Sequence, residues 1–169
     1  MSAGGKGQRL TLILAVLTVL ALAFSIPGSL RAALERGNFY VFSSEFLVDL
    51  PKRLFGPGRF RFVLQPTVAI VLGILAGRAD ARAGRVPYLY GLVLGGEERA
   101  HLVRSALGHV ANLLLMGILV DSVCQWLILG ASYPGAALVV GPVLIAAPYS
   151  VARALANRAT TMRDGRRAA

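Results

Sequence analysis

Apolar residues gather into long blocks along this chain, with the polar residues between them. A helix needs about 20 mostly apolar residues to cross a membrane. Four blocks meet or approach that length, at about 10–26, 60–80, 105–130 and 135–153. The first is uncharged, with Arg9 before it and Pro27-Gly28 after it. The second is apolar only over 62–77, but the helix-compatible residues 79–83 extend it past the hydrocarbon. The third carries one acid, Asp121, and the fourth is closed by Arg153. This pattern predicts an all-α fold: an integral membrane bundle of four transmembrane helices forming one domain over 1–169. The first block also has signal-peptide features, with Lys6 and Arg9 ahead of it and Ala21-Leu22-Ala23 within it. Because the run continues through Phe24 to Ile26, an uncleaved anchor is the expectation.

The connections differ in character. Residues 131–134 are short and uncharged, so spans three and four should form an antiparallel hairpin. The first loop, 28–60, is patterned. Ser29 is placed to cap a short helix ending at Gly37, and Ser43 and Ser44 to cap a second. In the second, Phe46, Leu47, Leu50 and Leu54 recur at helical spacing, with Lys52 and Arg53 outside that stripe and Pro51 within it. An amphipathic helix lying in the outer headgroup plane is expected there. In the second loop, 86–94 is too short to span, so an interfacial or re-entrant segment is expected, with Tyr88 and Tyr90 at headgroup level. Glu97 and Glu98 are placed to open one long helix into span three.

Composition narrows the class. Hydrophobic residues make up 56% of the chain and charged residues 15%, which excludes a disordered tail protein. The net charge of +10 leaves three sources open: nucleic acid, an anionic membrane surface, or residues flanking spans. Sorting the basic residues by loop decides between them. Lys6, Arg9, Arg78, Arg82, Arg85, Arg99, Arg104, Arg153, Arg158, Arg163, Arg166 and Arg167 fall on one side. Arg31, Arg36, Lys52, Arg53, Arg59 and Arg61 fall on the other. Twelve against six places both termini in the cytoplasm. The charge is thus largely a topology signal, and no nucleic-acid partner is expected.

Candidate chemistry is sparse. Asp121 is the one acid inside a span, and a charge at the bilayer centre costs about 2.5–3.5 kcal/mol or more. Gly117 and Gln125, at i−4 and i+4, share its helix face with Cys124. On span two, Gln65, Ala69, Gly73 and Gly77 recur every four residues, a line of small residues with one amide. These lines are expected to meet, placing Asp121 and Gln125 near Gln65 and Ala69. Asp121 then has two readings: a proton or cation site, or a hydrogen-bonded acid that holds helices in register. His109 lies off the Asp121 face, and Cys124, as the lone cysteine, has the character of a buried apolar residue. No metal-ligand spacing, phosphate loop or nucleophile elbow is present, so no cofactor, metal or catalytic residue is expected. Arg78, Arg82 and Arg85 could meet lipid headgroups or serve only as positive-inside flanks.

Several stretches resemble a family of small bacterial inner-membrane proteins with four spans. They are Phe60-Arg61-Phe62, Leu64-Gln65-Pro66, Leu72-Gly73-Ile74, the run from Asp80 to Arg85, and Pro87-Tyr88. Val120-Asp121, Gln125, Tyr133-Pro134-Gly135 and Pro148-Tyr149 are similar to the same family, so the likeness covers about 59–158. The resemblance implies a bacterial membrane bundle and transfers no activity or site residue. Where such relatives often carry a polar pair near the start of span three, this chain has Gly108-His109. The function expected is that of a non-enzymatic accessory or assembly subunit, packing against a larger membrane complex or against itself. A small conduit or carrier centred on Asp121 and an anionic-lipid-interacting protein are the alternatives. Membrane lipids are the expected surroundings in every case.

Overall fold

A computed structural model describes residues 3–94 and 98–168. The described residues are all-helical, with six α-helices and no strand. They are α1 (Ala3–Arg36), α2 (Ser44–Phe55), α3 (Arg61–Arg82), α4 (Tyr88–Leu94), α5 (Glu98–Leu129) and α6 (Pro134–Ala168), with a 3₁₀ turn at Tyr40–Phe42. Four of them, α1, α3, α5 and α6, are long and apolar enough to cross a membrane. Many large apolar side chains along the four long helices are exposed, such as Leu12, Phe24, Leu75 and Leu127, whereas Arg53, Arg61, Asp80, Asp121 and Arg153 are buried. Apolar outside and charged inside is the reverse of a water-soluble domain and marks a multi-pass membrane protein.

Several helices outrun their expected ends. Pro27-Gly28 does not stop α1, which continues through Arg36 as one helix. Pro27 removes a single backbone donor, and the helix formers from Leu30 to Glu35 resume the ladder at once. The separate short helix expected after Ser29 is therefore absorbed into α1, whose stop is Gly37 at φ +74°. The helix of the fourth span does not end at Arg153: α6 runs on to Ala168 and buries Ala154 and Asn157 beyond it. The α5–α6 link is tight, with Gly130 at φ +67° after α5 and Pro134 as the first residue of α6. Glu97 lies outside the described residues.

The chain divides into two compact units, residues 1–63 with 112–143 and residues 64–111 with 144–169. The first holds α1, the 3₁₀ turn, α2, the start of α3, the latter part of α5 and the beginning of α6. Its apolar centre is Tyr40, Tyr133 and Ala136, with the two tyrosine rings stacked at 3.9 Å between centroids. Thr11 Oγ1 donates to Asn112 Oδ1 at 2.7 Å and Thr18 Oγ1 lies 3.1 Å from the Leu115 carbonyl oxygen, tying α1 to α5. A Cβ on Gly141 would sit 3.0 Å from the Ile118 nitrogen and 3.1 Å from the Gly117 carbonyl carbon, so α5 and α6 approach closely at a pair of glycines.

The second unit packs the rest of α3 and α6 with α4 and the beginning of α5. Gly73 and Gly77 lie against α6. A Cβ on Gly73 would meet the Tyr149 carbonyl oxygen at 2.5 Å and Ala152 Cβ at 3.0 Å, and one on Gly77 would collide with the Arg153 carbonyl. Ala69 is wholly buried, and the buried Gln65 belongs to this unit as well. The apolar stretch after the second span folds as α4 and buries Tyr88 (5% exposed) within the protein; Tyr90 is exposed. Tyr88 turns inward because its ring meets Tyr149 edge-on at 6.3 Å and lies 4.5 Å from the Arg153 guanidinium.

Candidate functional site

In the first unit the chemistry centres on Asp121, which α5 places two turns before its end at Leu129. Its carboxylate is 1% exposed and has three neighbours. Arg61 Nη2 lies 2.8 Å from Oδ1, Arg53 Nη1 lies 3.6 Å from Oδ2, and Gln125 Nε2 donates to Oδ2 at 2.6 Å. Gln125 sits on the same helix face, and its own Oε1 accepts the Tyr133 backbone N–H at 2.9 Å. That amide therefore ties the acid to the turn that opens α6. Gly117 completes the face and meets α6 through Gly141.

Arg53 gives α2 a second, inward face. It lies outside the apolar stripe, as expected, yet it is fully buried, while Leu47, Val48 and Phe55 are exposed. The inward face runs Phe46, Asp49, Leu50, Arg53, at i, i+3, i+4 and i+7. A charge facing lipid is costly, so Arg53 turns toward a protein partner while Leu47 and Phe55 face outward. Ser43 does not cap α2 with its side chain; its hydroxyl donates to the Tyr40 carbonyl at 2.7 Å. Tyr40 donates its hydroxyl hydrogen to Asp49 at 2.8 Å, and the Tyr40 oxygen lies 3.4 Å from Arg53 Nη2. Burial pushes the Tyr40 hydroxyl up to about 12, aided by Asp49 and opposed by Arg53. Burial also works against the Asp49 charge, but hydrogen bonds from Lys52 and Tyr40 outweigh it and hold that carboxyl below its ordinary value. Arg36 stands over the Tyr133 ring at 5.4 Å, reaches its hydroxyl at 3.1 Å and pairs with Glu45 at 3.0 Å.

Asp121 is thus a counter-ion for two arginines that sequence reasoning had counted as loop charges. Gln65 and Ala69, expected beside it, belong to the second unit. A signal was present: Asp121 lies eight residues before Leu129, about 12 Å along the helix, near the end that faces the first loop. Arg53 and Arg61 are in or next to that loop.

The second unit has its own ionic centre. Arg153 Nε donates to Asp80 Oδ2 at 2.6 Å, and Nη1 donates to the Tyr149 hydroxyl at 3.2 Å. Arg85 pairs with the other Asp80 oxygen at 3.4 Å, so it faces Asp80 instead of joining Arg78 and Arg82 as a free headgroup contact. Asn157 donates to the Arg85 carbonyl at 3.1 Å, holding the turn after α3 against α6. Arg78 and Arg82 are exposed on α3. Cys124 is buried, and a Cβ on Gly58 would collide with its sulfur, so the thiol is enclosed. His109 Nδ1 lies 2.6 Å from the Ser105 carbonyl oxygen on its own helix.

Chemically, each centre pairs one buried aspartate with two arginines, Asp121 with Arg53 and Arg61, and Asp80 with Arg85 and Arg153. Among the described residues no group of three His, Cys, Asp or Glu side chains could hold a metal ion. No protein-family model, curated protein or solved structure matches the chain.

Proposed function

We propose that the chain is a non-enzymatic multi-pass protein of a bacterial inner membrane, with both termini cytoplasmic, that serves as an accessory or assembly subunit. On this reading it packs laterally against a larger membrane complex or a second copy of itself. The observation that carries the proposal is α1. Only 6% of its most apolar 18-residue window is buried, and its hydrogen bonds to α5 use Thr11 and Thr18. Leu14, Ala15 and Leu22 are half-buried and Phe24 meets Trp126 edge-on at 6.3 Å, but Leu12, Ile13, Val16, Leu17, Val19 and Leu20 are exposed. A span that contributes so little to its own unit is suited to contacts elsewhere in the bilayer, where van der Waals packing and interhelical hydrogen bonds drive association.

The conduit reading draws less support. A proton or cation carrier needs a carboxylate that can change partners, and Asp121 is held by two arginines and Gln125. The family likeness and the basic-residue asymmetry support the bacterial membrane and the topology.

Purification in mild detergent tests the proposal, together with cysteine cross-linking from Leu12, Leu20 and Phe24 in a Cys124→Ala background. A stoichiometric partner or a cross-linked dimer through α1 is the expected outcome. A monomer with neither would overturn it, and an ion leak in vesicles abolished by Asp121→Asn would favour the conduit. Reporter fusions at each terminus test the orientation.

A further inference from the structure

In the second unit a groove of about 680 Å³ runs between α3 and α6. On α3 it is lined by Ile70, Ile74, Arg78 and Arg82, spaced four apart on one face. On α6 it is lined by Leu155, Ala159 and Arg163, among others. Both walls change character in the same direction. The Ile70 and Leu155 end is apolar, and the Arg82 and Arg163 end is basic, with Asp164 as the one acid in the lining. From Ile70 to Arg78 is about 12 Å along the helix, so the gradient spans a length comparable to half the hydrocarbon core.

Arg78, Arg82 and Arg163 are all exposed, and none takes part in an ion pair among the described residues. This sets them apart from Arg53, Arg61 and Arg153, each of which is buried against an aspartate. The floor explains why the groove exists. Gly73 and Gly77 bring the α3 backbone against α6, and the longer side chains on either side of that contact then stand apart.

We infer that this groove binds one anionic glycerophospholipid, its phosphate among Arg78, Arg82 and Arg163 and an acyl chain along Ile70, Ile74 and Leu155. Charge complementarity selects the headgroup, because three unpaired guanidinium groups converge where an acyl chain leaving the apolar wall would end. The apolar wall selects a lipid over free phosphate. Thr160, half-buried in the lining, adds a hydroxyl near the same end.

Native mass spectrometry of the full chain tests this, with phosphatidylglycerol and phosphatidylcholine of equal acyl length titrated in separately. The wild type should retain one phosphatidylglycerol in preference to phosphatidylcholine. Arg78→Gln with Arg82→Gln should weaken that retention by about 30-fold, the size expected for two basic contacts at an anionic surface. Arg104→Gln with Arg158→Gln removes the same charge from exposed positions outside the groove and should leave it unchanged. Ile74→Trp, which obstructs the apolar wall with every arginine intact, should weaken it as well. Equal retention of the two lipids, or equal loss in both double variants, would overturn the inference. Undiminished retention in a folded Ile74→Trp protein would do the same, since a diffuse basic surface would then suffice.

Discussion

Replacing Asp121 by asparagine should be among the most damaging single changes in the protein. The exchange keeps the side chain's size and an oxygen to accept the Gln125 amide at its present 2.6 Å, so what it removes is charge. That charge faces Arg61, 1% exposed, and Arg53, fully buried. Both guanidinium groups would then lie in the interior with no anion within 4 Å. Breaking a buried pair from one side costs about 3–5 kcal/mol, mostly because of the charge left behind. Glu45→Gln is the matching control. Its side chain is 53% exposed and that of its partner Arg36 30%, and such pairs contribute about 0–1 kcal/mol. Unfolding in mixed micelles by rising dodecyl sulfate, followed through the single tryptophan, Trp126, reads both variants. Adding Arg61→Met to Asp121→Asn should recover part of the loss, since it removes one of the two stranded cations. An Asp121→Asn protein within about 1 kcal/mol of wild type, or a double variant less stable than Asp121→Asn alone, would refute this account.

Further outcomes follow from the same geometry. Gly73→Leu should destabilise by about 1–3 kcal/mol or block folding, because α6 backbone occupies the space. Gly108→Ala, whose Cβ would meet nothing within 4 Å, should instead stabilise α5 by about 0.5–1 kcal/mol in the same unfolding assay. Arg153→Met should cost about 3–5 kcal/mol by stranding Asp80, whereas Arg85→Gln, whose side chain is 49% exposed, should cost under about 1 kcal/mol. The Tyr40 hydroxyl keeps its proton in the fold up to about pH 12 and loses it near 10 when unfolded. Between those values the folded state binds more protons, so stability falls as pH rises, by at most about 1.4 kcal/mol per pH unit from this group. Tyr40→Phe should show a shallower loss over that window in denaturation curves taken at each pH.

The four long helices were legible because length and hydropathy alone specify them, and bilayer thickness sets the scale. Their ends were less so. Pro27-Gly28 reads as a stop in water, where freed backbone groups find solvent, but in an apolar surrounding the helix is the cheaper continuation. The stripe of α2 was legible, with Leu47 and Leu54 exposed, but the burial of Arg53 was not, since an arginine beside such a stripe reads as a headgroup contact. Asp121, Gln125 and Gly117 were legible as one face because helical periodicity is local. The partners Arg53 and Arg61 were not, because the position of Asp121 near the end of α5 points only to the first loop as a whole and not to which of its charges turn inward. Arg153 and Asp80 were hidden for a further reason: basic residues at span ends are expected as flanks on topological grounds, and the same position also serves a buried ion pair.

The separation of the paired charges along the chain has a consequence for synthesis. Arg61 precedes its carboxylate by 60 residues, and Asp80 precedes Arg153 by 73. At about 5–20 residues per second, each charge waits between about 3 and 15 s for its counter-ion to emerge. During that interval neither Arg61 nor Arg53 has its carboxylate, so both must be held in water or headgroups. The arrival of α5 supplies the anion that lets them withdraw inward, and α6 then does the same for Asp80. The two ionic centres therefore act as successive latches in biogenesis, each closing only when the helix that carries its second half has been inserted in the correct direction.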